Sequence, residues 1–91
     1  MSQKFSLGHI VATPGALRAL LESDENASVY LSRHVSGDWG ELCPEDKASN
    51  DQALVDGTRL LSAYTLQSGV RIWIITESDR SATTVLLPEE Y

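Results

Sequence analysis

Thr58-Arg59-Leu60-Leu61-Ser62-Ala63-Tyr64-Thr65-Leu66-Gln67-Ser68-Gly69-Val70-Arg71-Ile72-Trp73-Ile74-Ile75-Thr76-Glu77 is the stretch whose reading decides the fold. It is rich in β-branched and aromatic residues, and a three-residue segment ending in glycine interrupts it. That is the pattern of two strands joined by a type I turn with a bulge. With Leu66 opposite Val70, the register pairs Tyr64 with Ile72, Ala63 with Trp73 and Leu61 with Ile75. It also sets Arg59 across from Glu77, a favourable pairing of charges. Ser78-Asp79-Arg80-Ser81 reads as a second turn, Ala82 to Leu87 as a third strand, and Pro88 as its end.

This register divides the sheet into two faces. Leu60, Tyr64, Leu66, Val70, Ile72, Ile74, Val85 and Leu87 form an almost wholly apolar face, expected to pack on helices. The other face carries Leu61, Ala63, Trp73, Ile75 and Leu86 within a rim of Arg59, Arg71, Glu77, Thr65 and Thr84. The solvent side of an antiparallel sheet is usually more polar than this. Trp73, Leu61, Ile75 and Leu86 are therefore expected to form an exposed apolar patch, covered by the N-terminal segment or by another chain.

Upstream the period is helical. Thr13-Pro14 is a helix start, with threonine as N-cap and proline in the first turn, and Leu17, Leu20 and Leu21 are expected on one buried face to about Glu22. A second helix begins at Asp24 or Asn26. Its stripe is Ala27, Leu31, His34 and Val35, with Tyr30 at the edge, and Gly37 closes it. A third helix opens at Pro44, with Glu45 and Asp46 at the positive end of its dipole, and stops at Gly57. Its apolar content is thin, so it reads as the most exposed helix, with Asp46 and Asn50 on a solvated side. Residues Phe5 to Val11 alternate weakly, and a short N-terminal strand is compatible with that pattern. The expected fold class is α+β, one domain over residues 1–91: three N-terminal helices packed on a C-terminal three-stranded antiparallel meander.

Composition narrows the function classes. The 91 residues carry a net charge of −6, and residues 22–56 alone hold nine acids against Arg33 and Lys47. An acidic middle disfavours direct binding to nucleic acid phosphates and suits a basic protein surface. One cysteine, Cys43, permits no internal disulfide, which fits a reducing, cytoplasmic setting. Met1-Ser2-Gln3-Lys4-Phe5 lacks the basic start and apolar run of a leader. The longest strongly apolar run, Ile72 to Ile75, is far too short to cross a bilayer.

The candidate chemistry is sparse. Gly37-Asp38-Trp39-Gly40 is the most distinctive turn: Trp39, flanked by Asp38, reads either as a partner anchor or as a core plug with Asp38 capping the turn. Glu77, Asp79 and Arg80 at the second hairpin read as a charged loop able to meet a partner's acid or anionic group, or as a local turn with ion pairs. Trp73 is the centre of the outer face. Together Asp38, Trp39, Trp73, Glu77, Asp79 and Arg80 are the candidate partner-binding residues. His34 falls on the apolar stripe of its helix and reads as a packed histidine. His9, His34 and Cys43 do not make a zinc signature, and no catalytic set, cofactor site or metal site is expected.

Arg33-His34-Val35-Ser36-Gly37-Asp38-Trp39-Gly40, Leu60-Leu61-Ser62-Ala63-Tyr64 and the run from Trp73 to Tyr91 resemble a family of small bacterial proteins of plasmids and other mobile elements, some of them loosely labelled type I restriction–modification subunits. The resemblance implies a bacterial cytoplasmic protein and no defined activity. A chain this short has no room for a methyl-donor-binding fold and no glycine-rich loop after a strand, so the restriction activity is not carried over. Three readings follow: a non-catalytic protein-binding or regulatory protein, including a homodimer through the outer sheet face; an acidic mimic of nucleic acid that inhibits a host defence enzyme, using Glu41, Glu45, Asp46 and Asp51; and a small endoribonuclease-like enzyme using Arg59, Arg71 and Arg80.

Overall fold

Helix boundaries follow the capping residues. In the computed structural model, which describes residues 3–91, α1 spans Pro14–Glu22, with the Thr13 side chain accepting from the Ala16 N–H. Helix α2 spans Ala27–Val35 with Asn26 as N-cap, and α3 spans Pro44–Asp56 and ends on Gly57 in the left-handed region. Strand β1 is His9–Ala12, β2 Leu60–Thr65, β3 Arg71–Thr76 and β4 Ala82–Leu86. A short 3₁₀ turn over Pro88–Glu90 follows β4. Met1 and Ser2, the start of the segment read for a leader, lie outside the described residues.

The expected three-stranded antiparallel meander is corrected. The sheet has four strands in the order β1-β4-β3-β2, and it is mixed. The three helices are inserted between β1 and β2 and do not precede the sheet. Strands β2, β3 and β4 pair antiparallel, and Tyr64–Ile72, Ala63–Trp73 and Leu61–Ile75 are opposite one another. Strand β1 adds parallel to β4, with Ile10 beside Thr83 and Ala12 beside Val85. Gly8 makes this approach feasible: its φ is +64°, and a Cβ there would lie 2.4 Å from the Ser81 carbonyl oxygen. The Arg59–Glu77 pairing does not form, because β2 begins at Leu60 and the Arg59 guanidinium donates to the Tyr91 hydroxyl at 2.7 Å.

The main core lies between the sheet and α1 and α2. It joins Ala16, Leu20, Tyr30 and Leu31 to Tyr64, Leu66, Ile72, Ile74 and Val85. Leu17 and Leu21 do not share the buried face of α1; Leu21 is 80% exposed, and alanines 16 and 19 take the inward positions. A smaller cluster of Trp39, Ala53 and Leu60 packs with Phe5, Leu42 and Leu54, and it seats α3. At the first sheet turn, the Glu25 carboxylate accepts from Ser23, from Tyr30 and from the Gln67 N–H, which ties the α1–α2 link to the β2–β3 turn.

A polar seam runs through this interior. His34, Ser62, Thr76 and Thr83 are all fully buried. His34 Nδ1 meets Ser62 Oγ, and Nε2 lies 2.9 Å from Thr76 Oγ1. Thr76 Oγ1 is 2.8 Å from Thr83 Oγ1, and the Thr83 hydroxyl donates to the Leu7 carbonyl at 2.7 Å. The terminal carbonyl can only accept, and this sets the direction of the whole chain. Thr83 donates to Leu7, Thr76 donates to Thr83, His34 Nε2–H donates to Thr76, and Ser62 donates to Nδ1. Burial disfavours a second proton on Nδ1, so the imidazole is neutral, with its proton on Nε2.

Burial, and secondarily the positive charge of Arg80, push the His34 pKa down from 6.5 to about 4. Below pH 6.5 the unfolded chain binds a proton that the folded one refuses, so stability falls as pH drops from 6.5 towards 4. The full loss attributable to this group is on the order of 3 kcal/mol. Urea unfolding at pH 7 and pH 5 is expected to show the fall, and His34→Gln, though less stable at pH 7, is expected to flatten it. An equal pH dependence in the variant would mean that other groups cause it.

Candidate functional site

The two edges of the sheet are treated differently. On β2, the Asn50 side chain takes both outward groups of Leu61, accepting from its N–H at 3.1 Å and donating to its carbonyl at 2.6 Å. Trp39 and Glu41 take those of Ala63 through their backbones, at 3.2 and 2.7 Å. Gly40 stands between them because a Cβ there would lie 2.0 Å from the Ala63 carbonyl oxygen, at a φ of +77°. Asn50 is therefore buried and occupied, which corrects its reading as a solvated helix residue. Along Leu61 to Ala63 this edge is closed by the fold itself.

The candidate residues fall into three separate places. Asp38 and Trp39 lie at the β2 edge. The Asp38 carboxylate accepts from Arg33 Nε at 2.8 Å and from the Gly40 N–H at 3.2 Å, and the Arg33 bond holds its pKa below the usual range. Trp39 is buried: its Nε1–H donates to Asp51 at 3.0 Å, and its ring stacks on Phe5 with centroids 6.2 Å apart. Trp39 is thus the core plug, and one acid of the acidic segment, Asp51, is spent on it.

Glu77, Asp79 and Arg80 form the β3–β4 turn. Glu77 and Asp79 are exposed, and Asp79 accepts from the Ser81 N–H at 3.0 Å. Its pKa is lowered by hydrogen bonds from Ser81. Arg80 turns inward at a φ of +61°. Its guanidinium donates to the carbonyls of Thr58 at 2.7 Å, Glu77 at 3.1 Å and Ala53 at 3.2 Å, and it lies over the Phe5 ring at 5.7 Å. Its charge meets the negative end of the α3 dipole at the Ala53 carbonyl, which also accepts from the Gly57 and Thr58 N–H groups. No Asp79–Arg80 ion pair forms.

Trp73 is the third place, at the centre of the outer sheet face. Among the described residues, the core contacts of α1, α2 and α3 lie on the other face. The expected patch is smaller than the sequence indicates: Ile75 and Leu86 are buried, while Leu61 and Trp73 are half-buried. The N-terminal segment is not the cover, since Phe5 and Leu7 pack in the two cores on the other side. The C-terminus is. The turn after Pro88 brings the Tyr91 ring edge-on to Trp73, with centroids 5.7 Å apart, and the Arg59 guanidinium lies over Tyr91 at 5.5 Å. Glu90 anchors this return by accepting from Thr13 and from the Leu87 N–H, beside the start of α1. Tyr91 remains 67% exposed. At the other end of the face, Arg71 lies 3.6 Å from the Glu41 carboxylate. The face is a half-open aromatic pair between two arginines. Tyr91 and its link to Arg59 escaped the sequence reading, because a residue beyond Pro88 carries no strand period to place it.

The remaining chemistry is internal. The Ser62–His34 contact has the composition of a nucleophile–base pair, but both residues are fully buried and His34 is committed to the threonine chain. Arg59, Arg71 and Arg80 engage three different partners and do not converge. Cys43 is exposed at the start of α3 and makes no cap hydrogen bond. Among the described residues, no group of three His, Cys, Asp or Glu side chains could hold a metal ion, and no helix is long and apolar enough to cross a membrane. Comparison with protein-family models, curated proteins and solved structures returned no match.

Arg80 offers a direct test of structural against ligand-facing roles. Arg80→Ala is expected to cost about 2 kcal/mol in urea unfolding, from the lost charge-assisted bonds. Arg80→Gly is expected to cost less, since glycine accepts the positive φ. A stability unchanged in Arg80→Ala would show that the side chain is not required by the fold.

Proposed function

We propose that this protein works by contact with another protein, without catalysis, through the outer sheet face centred on Trp73 and Tyr91. One observation carries the reading: the face holds a half-open aromatic pair flanked by Arg59 and Arg71. Aromatic and arginine side chains are the residue types that dominate binding energy at protein interfaces. The Ser62–His34 pairing is sealed inside the core, which supports a binding role over a chemical one. The resemblance to small mobile-element proteins supports a bacterial, cytoplasmic setting and a regulatory role there.

The partner surface that suits this face is apolar at its centre and acidic at its rim, to meet Trp73 and the two guanidiniums. The reading as an acidic mimic of nucleic acid would use the opposite side, the exposed acids of α3, and the engagement of Asp51 with Trp39 weakens it.

A photo-reactive residue placed at position 73 or, as a control, at the exposed position 21 tests the proposal in bacterial lysate. Position 73 is expected to crosslink a discrete protein, and Arg71→Glu is expected to reduce that product several-fold. Equal labelling from both positions, or none from position 73, would contradict it.

A further inference from the structure

The fourth strand leaves the sheet with one bare edge. His9 donates to the Ser81 carbonyl just before β4, and Thr13 to the Val85 carbonyl within it, at 3.0 Å each. The two-residue alternation of a strand then turns the backbone groups of Ile10 and Ala12 away from the sheet. Among the described residues nothing bonds to them. On β2, by contrast, Asn50, Trp39 and Glu41 occupy the outward groups of Leu61 and Ala63. Small proteins normally shield an edge with a charge, a proline or a covering segment. Within His9-Ile10-Val11-Ala12 there is none, and Ile10 and Val11 are 54% and 50% exposed.

Beside this edge, on the helix side of the sheet, lies an open groove of about 370 Å³, floored by Leu7, Ile10, Leu31 and Val35 and walled by serines of α2. None of its lining residues is charged. In a chain of net charge −6, two copies repel wherever their acids meet, and an uncharged edge and groove form a surface that they can share at little electrostatic cost.

We propose that β1 pairs antiparallel with β1 of a second copy of this chain, across a two-fold axis through Val11. Hydrogen-bond parity supports this choice of occupant. The outward residues are Ile10 and Ala12, so a register that sets Ile10 against Ala12 of the second copy matches every outward donor with an outward acceptor. Val11 then faces its own equivalent in a pair without hydrogen bonds, where side chains come closest. The same operation matches both directions, as an isologous interface requires. Val11 shares its sheet side with Thr84 and Ile10 shares its side with Thr83. The valines therefore meet on the outer face, and the two grooves face each other across the axis on the helix side. A specific interface removes about 800 Å² per partner, roughly a seventh of the 5271 Å² surface of this chain. Three paired residues do not reach that, so the groove walls must contribute. The result is one continuous eight-stranded sheet, and its outer faces join without using Trp73. This pairing stands independently of the contact proposed above.

The solution mass is expected to be twice the 10.0 kDa of the chain. Ile10→Lys, which puts a charge at the edge, and Ala12→Pro, which deletes an outward N–H, are each expected to weaken the dimer at least tenfold. Circular dichroism should show both variants folded. In a Cys43→Ser background, Val11→Cys is expected to form an interchain disulfide on mild oxidation at least tenfold faster than Ile10→Cys, which has no equivalent opposite it. A wild-type monomer up to millimolar concentration would overturn the proposal. So would a dimer that either folded edge variant leaves intact, or equal crosslinking at positions 10 and 11. A dimer broken by Trp73→Glu and indifferent to Ile10→Lys would place self-association on the outer face instead.

Discussion

A buried histidine that must stay neutral organises this structure. His34 enters the interior from α2 and bonds to β2 through Ser62 and to β3 through Thr76. The chain continues through Thr83 on β4 to the Leu7 carbonyl of the N-terminal segment. One line of hydrogen bonds thus joins a helix, three strands and the segment that delivers β1. Buried polar groups of this kind are costly when unpaired and specify a single arrangement when every member is satisfied. No buried side-chain nitrogen or oxygen lacks a partner among the described residues. A sheet register shifted by one residue would turn Ser62, Thr76 and Thr83 away from His34, so the seam penalises slippage more sharply than apolar packing alone.

The placement of the seam also decides what is left for function. With His34 and Ser62 sealed, the polar chemistry of the interior is committed to architecture. Phe5 lies between Trp39 and the Arg80 guanidinium, and its ring meets His34 edge-on at 5.2 Å. Two residues that read as partner contacts in the sequence, Trp39 and Arg80, are thereby drawn into holding the N-terminal segment and α3. What the fold leaves open is the aromatic face around Trp73 and the uncharged edge of β1.

Local signals were legible wherever chemistry is local. Thr13-Pro14, Asn26, Pro44 and Gly57 mark helix ends through capping and backbone preference, and the Gln67-Ser68-Gly69 turn sets the hairpin register. Strand β1 was much less legible. It is four residues long, and its partner lies more than seventy positions away, so nothing near it in sequence specifies a parallel pairing. Tyr91 was hidden because it lies beyond Pro88, where no strand period places it against Trp73 and Arg59. The polar seam was partly legible and overlooked: Ser62, Thr76 and Thr83 share the strand parity of Tyr64, Ile74 and Val85. Three hydroxyls on an apolar face, with a histidine on the facing helix stripe, form a pattern that parity alone can reveal. Asn50 was misread because a thin apolar stripe on α3 suggested solvent, whereas that helix docks largely by closing a strand edge.

The measurement closest to the centre of this account is the nitrogen-15 NMR spectrum of the His34 ring as a function of pH. The hydrogen-bond direction set by the Leu7 carbonyl, together with burial of the ring, predicts a neutral imidazole protonated at Nε2, persisting in the folded protein from pH 7 down to about pH 4. A ring protonated at Nδ1, or one that takes up a second proton near pH 6.5 while the protein remains folded, would contradict the polar seam as the element on which the rest of the structure depends.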